Sequence, residues 1–450
     1  MRHFAYVWGL LWILAPVRAQ EPSGSGNPSG ASNKFWLSGQ LNVVTQFHPA
    51  FHALYSGPSS LRPDAEVAPT WVATIYTGYA LSSTTEFFFD VESARGAGVS
   101  GALGLGGLGD LDAVTDKNAT AAPYIARAMV RKIIPLGEQM VPGSPNPLGL
   151  AANVPARRLE LRVGKMSLTD FFDLNAVGSD SHLQFLNYSI DNNAAYDIAA
   201  NARGYTYAAL AELYQPAWTA RFAEAIEPKD TSGLHSDWNL SRSRSENLEL
   251  ELHPSIHDKQ PFTVRALAFV NHADMGSYPA AVSAFLSGQD SHPELSLHLS
   301  RGANYGFGLN GETAIGDNLR LFSRFGWNEG AKEVFQFAEA DRTFAIGGDL
   351  SGKAWNKPTH RIGMAFAVNA LVPSHREYLA LGGQSYLLGD GGLDYGHERV
   401  LEAYYNIPLR HGFYAAFDVQ QIWNPGYNQV RGPVTIFGLR LHADAEIHFN

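Results

Sequence analysis

Apolar and polar side chains alternate residue by residue in one segment of this chain after another. From Phe35 to His48, Phe35, Leu37, Leu41, Val43 and Phe47 fall on one face; Trp36, Ser38, Gln40, Asn42, Gln46 and His48 fall on the other. A period of two marks an extended strand whose two faces meet different surroundings. Trp71, Ala73, Ile75, Tyr79 and Leu81 repeat the pattern. After a tight Ser82–Ser83 turn, Phe87, Phe89 and Val91 stand against Glu86, Asp90 and Glu92. Leu159, Leu161 and Val163 oppose Glu160 and Arg162. Leu248, Leu250 and Leu252 oppose Glu249 and Glu251. Ile362, Met364, Phe366 and Val368 oppose Arg361, and Phe413, Ala415, Phe417 and Val419 oppose Asp418 and Gln420. The last segment sets Phe437, Leu439, Leu441, Ile447 and Phe449 against Arg440, His442, Asp444, Glu446 and His448.

A soluble β-sandwich alternates too, but it covers its apolar face with a second layer. This chain has no second set of elements to cover so much apolar surface. A bilayer supplies that partner, provided the strands close on themselves so that every backbone group is paired. The expected fold class is therefore all-β: a transmembrane antiparallel β-barrel with long extracellular loops and short periplasmic turns. Short turns (Ser82–Ser83, Gly316–Asn318, Arg410–Gly412) alternate with long stretches at Gly98–Ala122, Leu136–Pro155, Asp274–Pro293 and Gly382–Gly396. At roughly 25 residues per strand with its loop, the length predicts a barrel of about 16 to 18 strands, the size class that holds an aqueous channel. Ala126–Leu136 is predicted to form a short helix in a loop.

The N-terminus predicts export. Met1-Arg2-His3 precedes an apolar run from Ala5 to Ala15, and Val17-Arg18-Ala19 presents small residues for cleavage. Residues 1–19 thus read as a signal peptide, 20–34 as a flexible segment, and 35–450 as the barrel. No later run approaches the roughly 18 apolar residues of a membrane helix. The chain has no cysteine, which removes disulfides and thiolate metal sites. Its formal charge of −10 argues against a nucleic-acid partner. Only 17% of residues are charged, fewer than the roughly one quarter usual in soluble proteins.

Enzyme and cofactor motifs fail on context. Gly104-Leu-Gly106-Gly-Leu-Gly109 has the spacing of a dinucleotide loop but no βαβ unit around it. His253 and His257 have a metal-pair spacing, but Pro254 denies them a helix. There is no Gly-x-Ser-x-Gly elbow. The expectation is a protein that is no enzyme and has neither cofactor nor metal.

Several ordered motifs resemble those of the carbohydrate-selective porins of the OprB type. They include Arg162-Val-Gly-Lys165-Met-Ser-Leu-Thr-Asp170-Phe-Phe-Asp173, Tyr305-Gly-Phe-Gly-Leu-Asn310, Phe325-Gly-Trp327-Asn328, Asp341-Arg342 and His375-Arg376-Glu-Tyr378. Leu387–Tyr405, Trp423-Asn-Pro425 and Asp90-Val-Glu92-Ser-Ala-Arg95 match as well. The resemblance spans the mature chain. It implies a 16-stranded barrel of the bacterial outer membrane that passes small carbohydrates. Its partners would be those sugars and outer-membrane lipids, with monomer or homotrimer left open.

A sugar is neutral and densely hydroxylated, so its path needs opposed acceptors and donors. The acceptors predicted to line the pore are Asp90, Glu92, Glu160, Glu398, Glu402 and Asp418. The donors are Arg95, Arg162, Arg324, Arg342, Arg361 and Arg440. The alternative for each is a wall ion pair with no solute role. Phe171 and Phe172 follow a strand and stand either as an apolar platform at the eyelet or in the interfacial girdle. Trp327, Tyr404, Tyr405 and Trp423 read as girdle. A general or anion-preferring porin and a barrel-embedded enzyme are the competing functions. Mixed signs in the lumen favour neutral solutes over an anion pore.

Overall fold

The computed structural model describes residues 34–447 apart from 117–118, 144, 254, 257–259 and 336. The proposed signal peptide, most of the flexible segment, His257, His448 and Phe449 lie outside the described residues. Sixteen long antiparallel strands close into one barrel. They are β1 Phe35–His48, β2 Glu66–Ser82, β3 Thr85–Arg95, β4 Tyr124–Pro135, β5 Arg158–Met166, β6 Thr206–Tyr214, β7 Trp218–Ala225 and β8 Arg244–Leu252. β9 Gln260–Gly276, β10 Leu299–Ile315, β11 Leu319–Asn328, β12 Arg342–Ser351, β13 Arg361–Ala370, β14 Glu398–Arg410, β15 Phe413–Trp423 and β16 Val434–Ile447 complete the wall. Each strand pairs with its sequence neighbours, and β1 pairs with β16 from Leu37↔Ile447 to Phe47↔Phe437. Among the described residues the barrel sheet has no open edge, as a hydrocarbon setting requires.

Period-two patterning sets the faces. Ile75, Met364 and Phe417 are more than half exposed, at 57%, 59% and 59%, on the outer surface. Their strand neighbours Thr74, Gly363 and Asp418 are buried inside. Arg342 is corrected: it is the outward neighbour of buried Thr343, at the rim, with its guanidinium 4.6 Å from the Trp327 ring centre. Arg95 is corrected likewise. It is exposed and shares its face with Val91 and Trp71, because β3 turns Glu92 and Ala94 inward. Tyr404 is the converse case. It points inward, is buried, and packs edge-on against Phe185 at 4.9 Å. Tyr405, Trp327 and Trp423 stay on the outward face.

The predicted helix at Ala126–Leu136 is strand β4. Its run of helix formers is overruled by pairing on both sides, with β3 and β5. That one extra crossing also moves Leu136–Pro155 to the rim of the short turns. There it forms a small ribbon, Met140–Pro142 against Asn153–Pro155. Its tip enters the barrel, where the Leu150 N–H donates to Glu86 at 3.2 Å.

Two long-rim loops, 96–123 and 167–205, also turn into the lumen. The second carries the short helix α1 Tyr188–Asp191. Two further helices, α2 Tyr278–Leu286 and α3 Pro373–Ala380, follow β9 and β13 at the same rim. Buried His375 of α3 stacks on Tyr278 of α2 at 4.0 Å. Its ring nitrogens each lie 3.4 Å from a carboxylate, Glu339 and Asp341.

Burial opposes charge on His375, but Asp341 and Glu339 outweigh it and lift its pKa to about 9. A raised folded pKa contributes stability that is complete below the unfolded value, about 6.5, and is lost as pH climbs through about 9. Hydrogen exchange of α2 and α3 should therefore accelerate between those values while the strands stay protected. In a bilayer, Phe366→Arg on the outward face should cost roughly 2–4 kcal/mol at midplane depth. Urea titration of the folded barrel measures it, and an unchanged midpoint would reverse the assignment of faces.

Candidate functional site

Inward side chains of β3 to β10 form one continuous chain of ion pairs. Arg131 bridges Glu86 at 2.8 Å and Glu160 at 2.6 Å. Glu160 also takes Arg158 at 2.6 Å and Arg162 at 2.7 Å, and Arg162 continues to Glu212 at 3.0 Å. Arg221 links Glu212 at 3.3 Å, Glu249 at 2.9 Å and Glu251 at 2.8 Å. Arg265 ends the run between Glu251 at 2.8 Å and Glu312 at 2.9 Å. Strand alternation places these residues at one level on neighbouring strands. Guanidinium forks then hold carboxylates from two sides at once. On the far wall Asp349 holds Arg320 at 2.9 Å and Arg361 at 2.6 Å and accepts from Tyr404 at 3.3 Å.

A second set of inward residues fastens the infolded loops. Glu398 accepts from the N–H of Gly106 at 3.0 Å and of Gly426 at 2.8 Å. Glu402 accepts from the N–H of Leu186 at 2.5 Å and of Asn187 at 3.1 Å. Arg324 donates to the carbonyls of Gly178, Ile190 and Asp173 at 2.7, 2.7 and 2.9 Å and pairs with Asp173 at 2.8 Å. Arg440 donates to the carbonyls of Ser181 and Gln184 at 2.6 and 2.9 Å. Asp418 accepts from Gln420 at 3.3 Å, and the same amide donates to Gly109 at 2.8 Å. Loop backbone has no strand to pair with, so these side chains supply its hydrogen bonds.

Between the infolded loops and β1–β4 lies a cavity of about 250 Å³. Glu92 sits in its wall and accepts from Tyr124 at 2.5 Å, Tyr205 at 2.9 Å and Thr74 at 2.8 Å. Arg127 holds Asp170 bidentately, both bonds at 2.7 Å, and reaches Asp90 at 3.3 Å. On the opposite side His182 stands 3.4 Å from Asp112 and stacks on His442 at 5.3 Å. Burial lowers the His182 pKa, but the Asp112 carboxylate outweighs it, so the net shift is upward. Arg203 and Tyr76 complete the polar and aromatic lining. A second cavity of about 290 Å³ lies between the ion-pair chain, Phe171 and the loop tip at Asn146–Gly149. Such sites bind by a few placed polar groups beside apolar surface. Side chains of both charge signs line each cavity. Among the described residues, no three His, Asp or Glu side chains are grouped to hold a metal.

The model of the carbohydrate-selective porin family, OprB, matches residues 59–444. The chain belongs to the OprB family of carbohydrate-selective porins. The fold agrees: the high-pH structure of Pseudomonas putida OprB superposes with a TM-score of 0.69 at 13% identity, covering 92% of this chain and 94% of that one. The crystal structure of Acinetobacter baumannii OccAB1 gives 0.49 at 8% identity, covering 93% and 98%. No curated protein sequence matches the chain.

In this porin the fourteen residues singled out from sequence part company. Glu160 and Arg162 are in the ion-pair chain. Glu398, Glu402, Arg324 and Arg440 hold loops, while Asp418 accepts from Gln420, whose amide reaches the loop at Gly109. Arg361 belongs to the Asp349 cluster. Glu92 faces the first cavity, with Asp90 behind Arg127. Arg95 and Arg342 are on the outside. Phe172 is 1% exposed, packed in the core formed by the infolded loops, and so offers no platform to a solute. Phe171 is also buried but borders the second cavity, with the Arg162 guanidinium 5.1 Å from its ring centre. Neither ring is in the girdle. Sequence reasoning missed Arg127 and Arg131 because β4 was expected to be a helix; its inward parity with Glu86 and Asp90 would have exposed both. Tyr124, Asp112, His182, Arg203 and Tyr205 carry no such signal, because loop residues have no period.

Arg162→Ala would take one guanidinium from Glu160 and one from Glu212, leaving Arg131 and Arg158 on the first and Arg221 on the second. Orphaning a buried charge costs roughly 3–5 kcal/mol, so this partial loss should cost less, about 1–3 kcal/mol. The variant should lower the urea midpoint of the barrel, and retention of the wild-type midpoint would mean the ion-pair chain adds no stability.

Proposed function

We propose that this porin lies in the bacterial outer membrane and lets small neutral carbohydrates diffuse down their gradient, without energy coupling or catalysis. Residues 1–19 act as the export signal in this reading, and the outer apolar face contacts outer-membrane lipid. The observation that carries the solute class is the first cavity. It sets a tyrosine-bound carboxylate, paired arginine forks and aromatic rings around a space of about 250 Å³. That is close to the lower limit of roughly 300 Å³ for small-molecule pockets, and so of monosaccharide size. A pore built for anions would show arginines without acids, whereas the cavity interleaves Glu92, Asp112 and Asp170 with Arg127 and Arg203. Family membership supports the same reading.

The test is single-channel conductance in a planar bilayer with glucose titrated in. Channels should open, and glucose should reduce the ion current saturably. Open channels that ignore glucose would make the protein a general porin, with the fold intact and the sugar reading lost.

A further inference from the structure

This inference rests on the sugar reading above and asks which side chain engages the solute. Hydrogen-bond bookkeeping separates the arginines that face the lumen. Arg131, Arg162, Arg221 and Arg265 are each committed to at least two carboxylates. Arg127 is committed to Asp170 and Asp90. Arg324 and Arg440 spend their donors on loop carbonyls. Each of these guanidiniums is held by its partners, and the donors left over on Arg265 and Arg440 are buried, so a solute would have to displace those partners to reach them.

Arg203 differs. It borders the first cavity, from the loop between β5 and β6. Among the described residues it forms no ion pair. Its one side-chain hydrogen bond runs from Nη2 to the Thr120 carbonyl at 3.3 Å. Its guanidinium lies 3.8 Å from the centre of the Tyr124 ring, which holds the fork against that face. Nε and Nη1 therefore remain as donors on a guanidinium that is held in place.

The backbone beneath it is also held. The Asn201 side chain accepts from the N–H of Arg203 at 3.0 Å and of Tyr205 at 3.3 Å. Gly204 turns the chain at φ 86°, a left-handed conformation that favours glycine. The Ala202 N–H donates to the Gly233 carbonyl at 3.0 Å, tying the turn to the next loop. A donor fork mounted in this way loses little freedom when a ligand arrives.

The charge around the cavity chooses the ligand. Glu92, Asp112 and Asp170 balance Arg127, Arg203 and His182 around it, so a carboxylated sugar gains no net attraction and meets repulsion from the acids it approaches. Adjacent hydroxyls of a neutral sugar meet none. We propose that Arg203 is the specificity-determining residue of this porin. It donates from Nε and Nη1 to neighbouring hydroxyls of a neutral monosaccharide beside Tyr124 and Tyr205, while the ion-pair chain serves as wall.

The experiment is glucose titration of the ion current through wild type, Arg203→Ala and Arg203→Lys in planar bilayers, with gluconate as a second probe. The alanine variant should raise the half-blocking glucose concentration about tenfold or more, equivalent to about 1.4 kcal/mol. Lysine keeps the charge and stem but loses the fork, so it should also weaken the block. If the alanine variant does not insert, lysine carries the test. Gluconate should block wild type less well than glucose. Variants within about twofold of wild type would overturn the role of Arg203 while leaving the sugar reading intact. Stronger block by gluconate would overturn the neutral ligand. A wild-type channel insensitive to both probes would instead sink the sugar reading itself.

Discussion

A strand in hydrocarbon has no water to satisfy its edge, and each unpaired backbone group there costs several kcal/mol. The pairing of β1 with β16 removes that edge, and the rest of the structure follows from it. Closure fixes which residues face lipid and which face the lumen, because a strand offers its side chains only two directions. It also encloses a space that polar side chains, rather than solvent alone, must fill. The outer face can then be apolar and almost uncharged, and the charge of the chain gathers inside.

Charges gathered in a confined space must find partners, and the lumen solves this in two ways. Over β3 to β10 the wall pairs mainly with itself, arginine against glutamate. Over β11 to β16 the wall is completed by loops whose backbone groups receive the charged side chains. The two solutions do different work. The ion-pair chain braces its half of the wall, and two of its carboxylates, Glu249 and Glu312, also accept from the N–H groups of Asp173 and Ala176 in the infolded loop. The fastening residues draw loops 96–123 and 167–205 inward and so leave the first cavity between them and β1–β4. A narrow, mixed-sign space results from satisfying buried polar groups, with no dedicated domain needed.

Most of the fold was legible in the sequence, because alternation is a direct record of the barrel's two faces. β1, β5, β8, β13, β15 and β16 are examples where the apolar and charged registers could be read by counting. β4 was not legible, since Ala126, Arg127 and Met129 favour helix locally and only cross-strand pairing decides otherwise. That single misreading also put Leu136–Pro155 at the wrong rim. Arg95 and Arg342 were misplaced by chemistry overriding parity: both are charged, yet each falls on the outward step at a strand end, Arg342 there lying against the Trp327 ring. The candidate site was less legible. Glu92 and Glu160 were found on strands. Arg203, Tyr205 and His182 come from a loop whose path depends on Arg324, Glu402 and Arg440, contacts separated widely along the chain.

The central claim is that this closed, loop-narrowed barrel passes neutral sugars without coupling to energy. The most direct measurement is the swelling of liposomes carrying the purified protein, diluted into isotonic monosaccharide. The account predicts swelling well above that of protein-free vesicles, slowing as the solute grows from a monosaccharide to a trisaccharide. Vesicles that hold open ion channels yet do not swell in monosaccharide would contradict it.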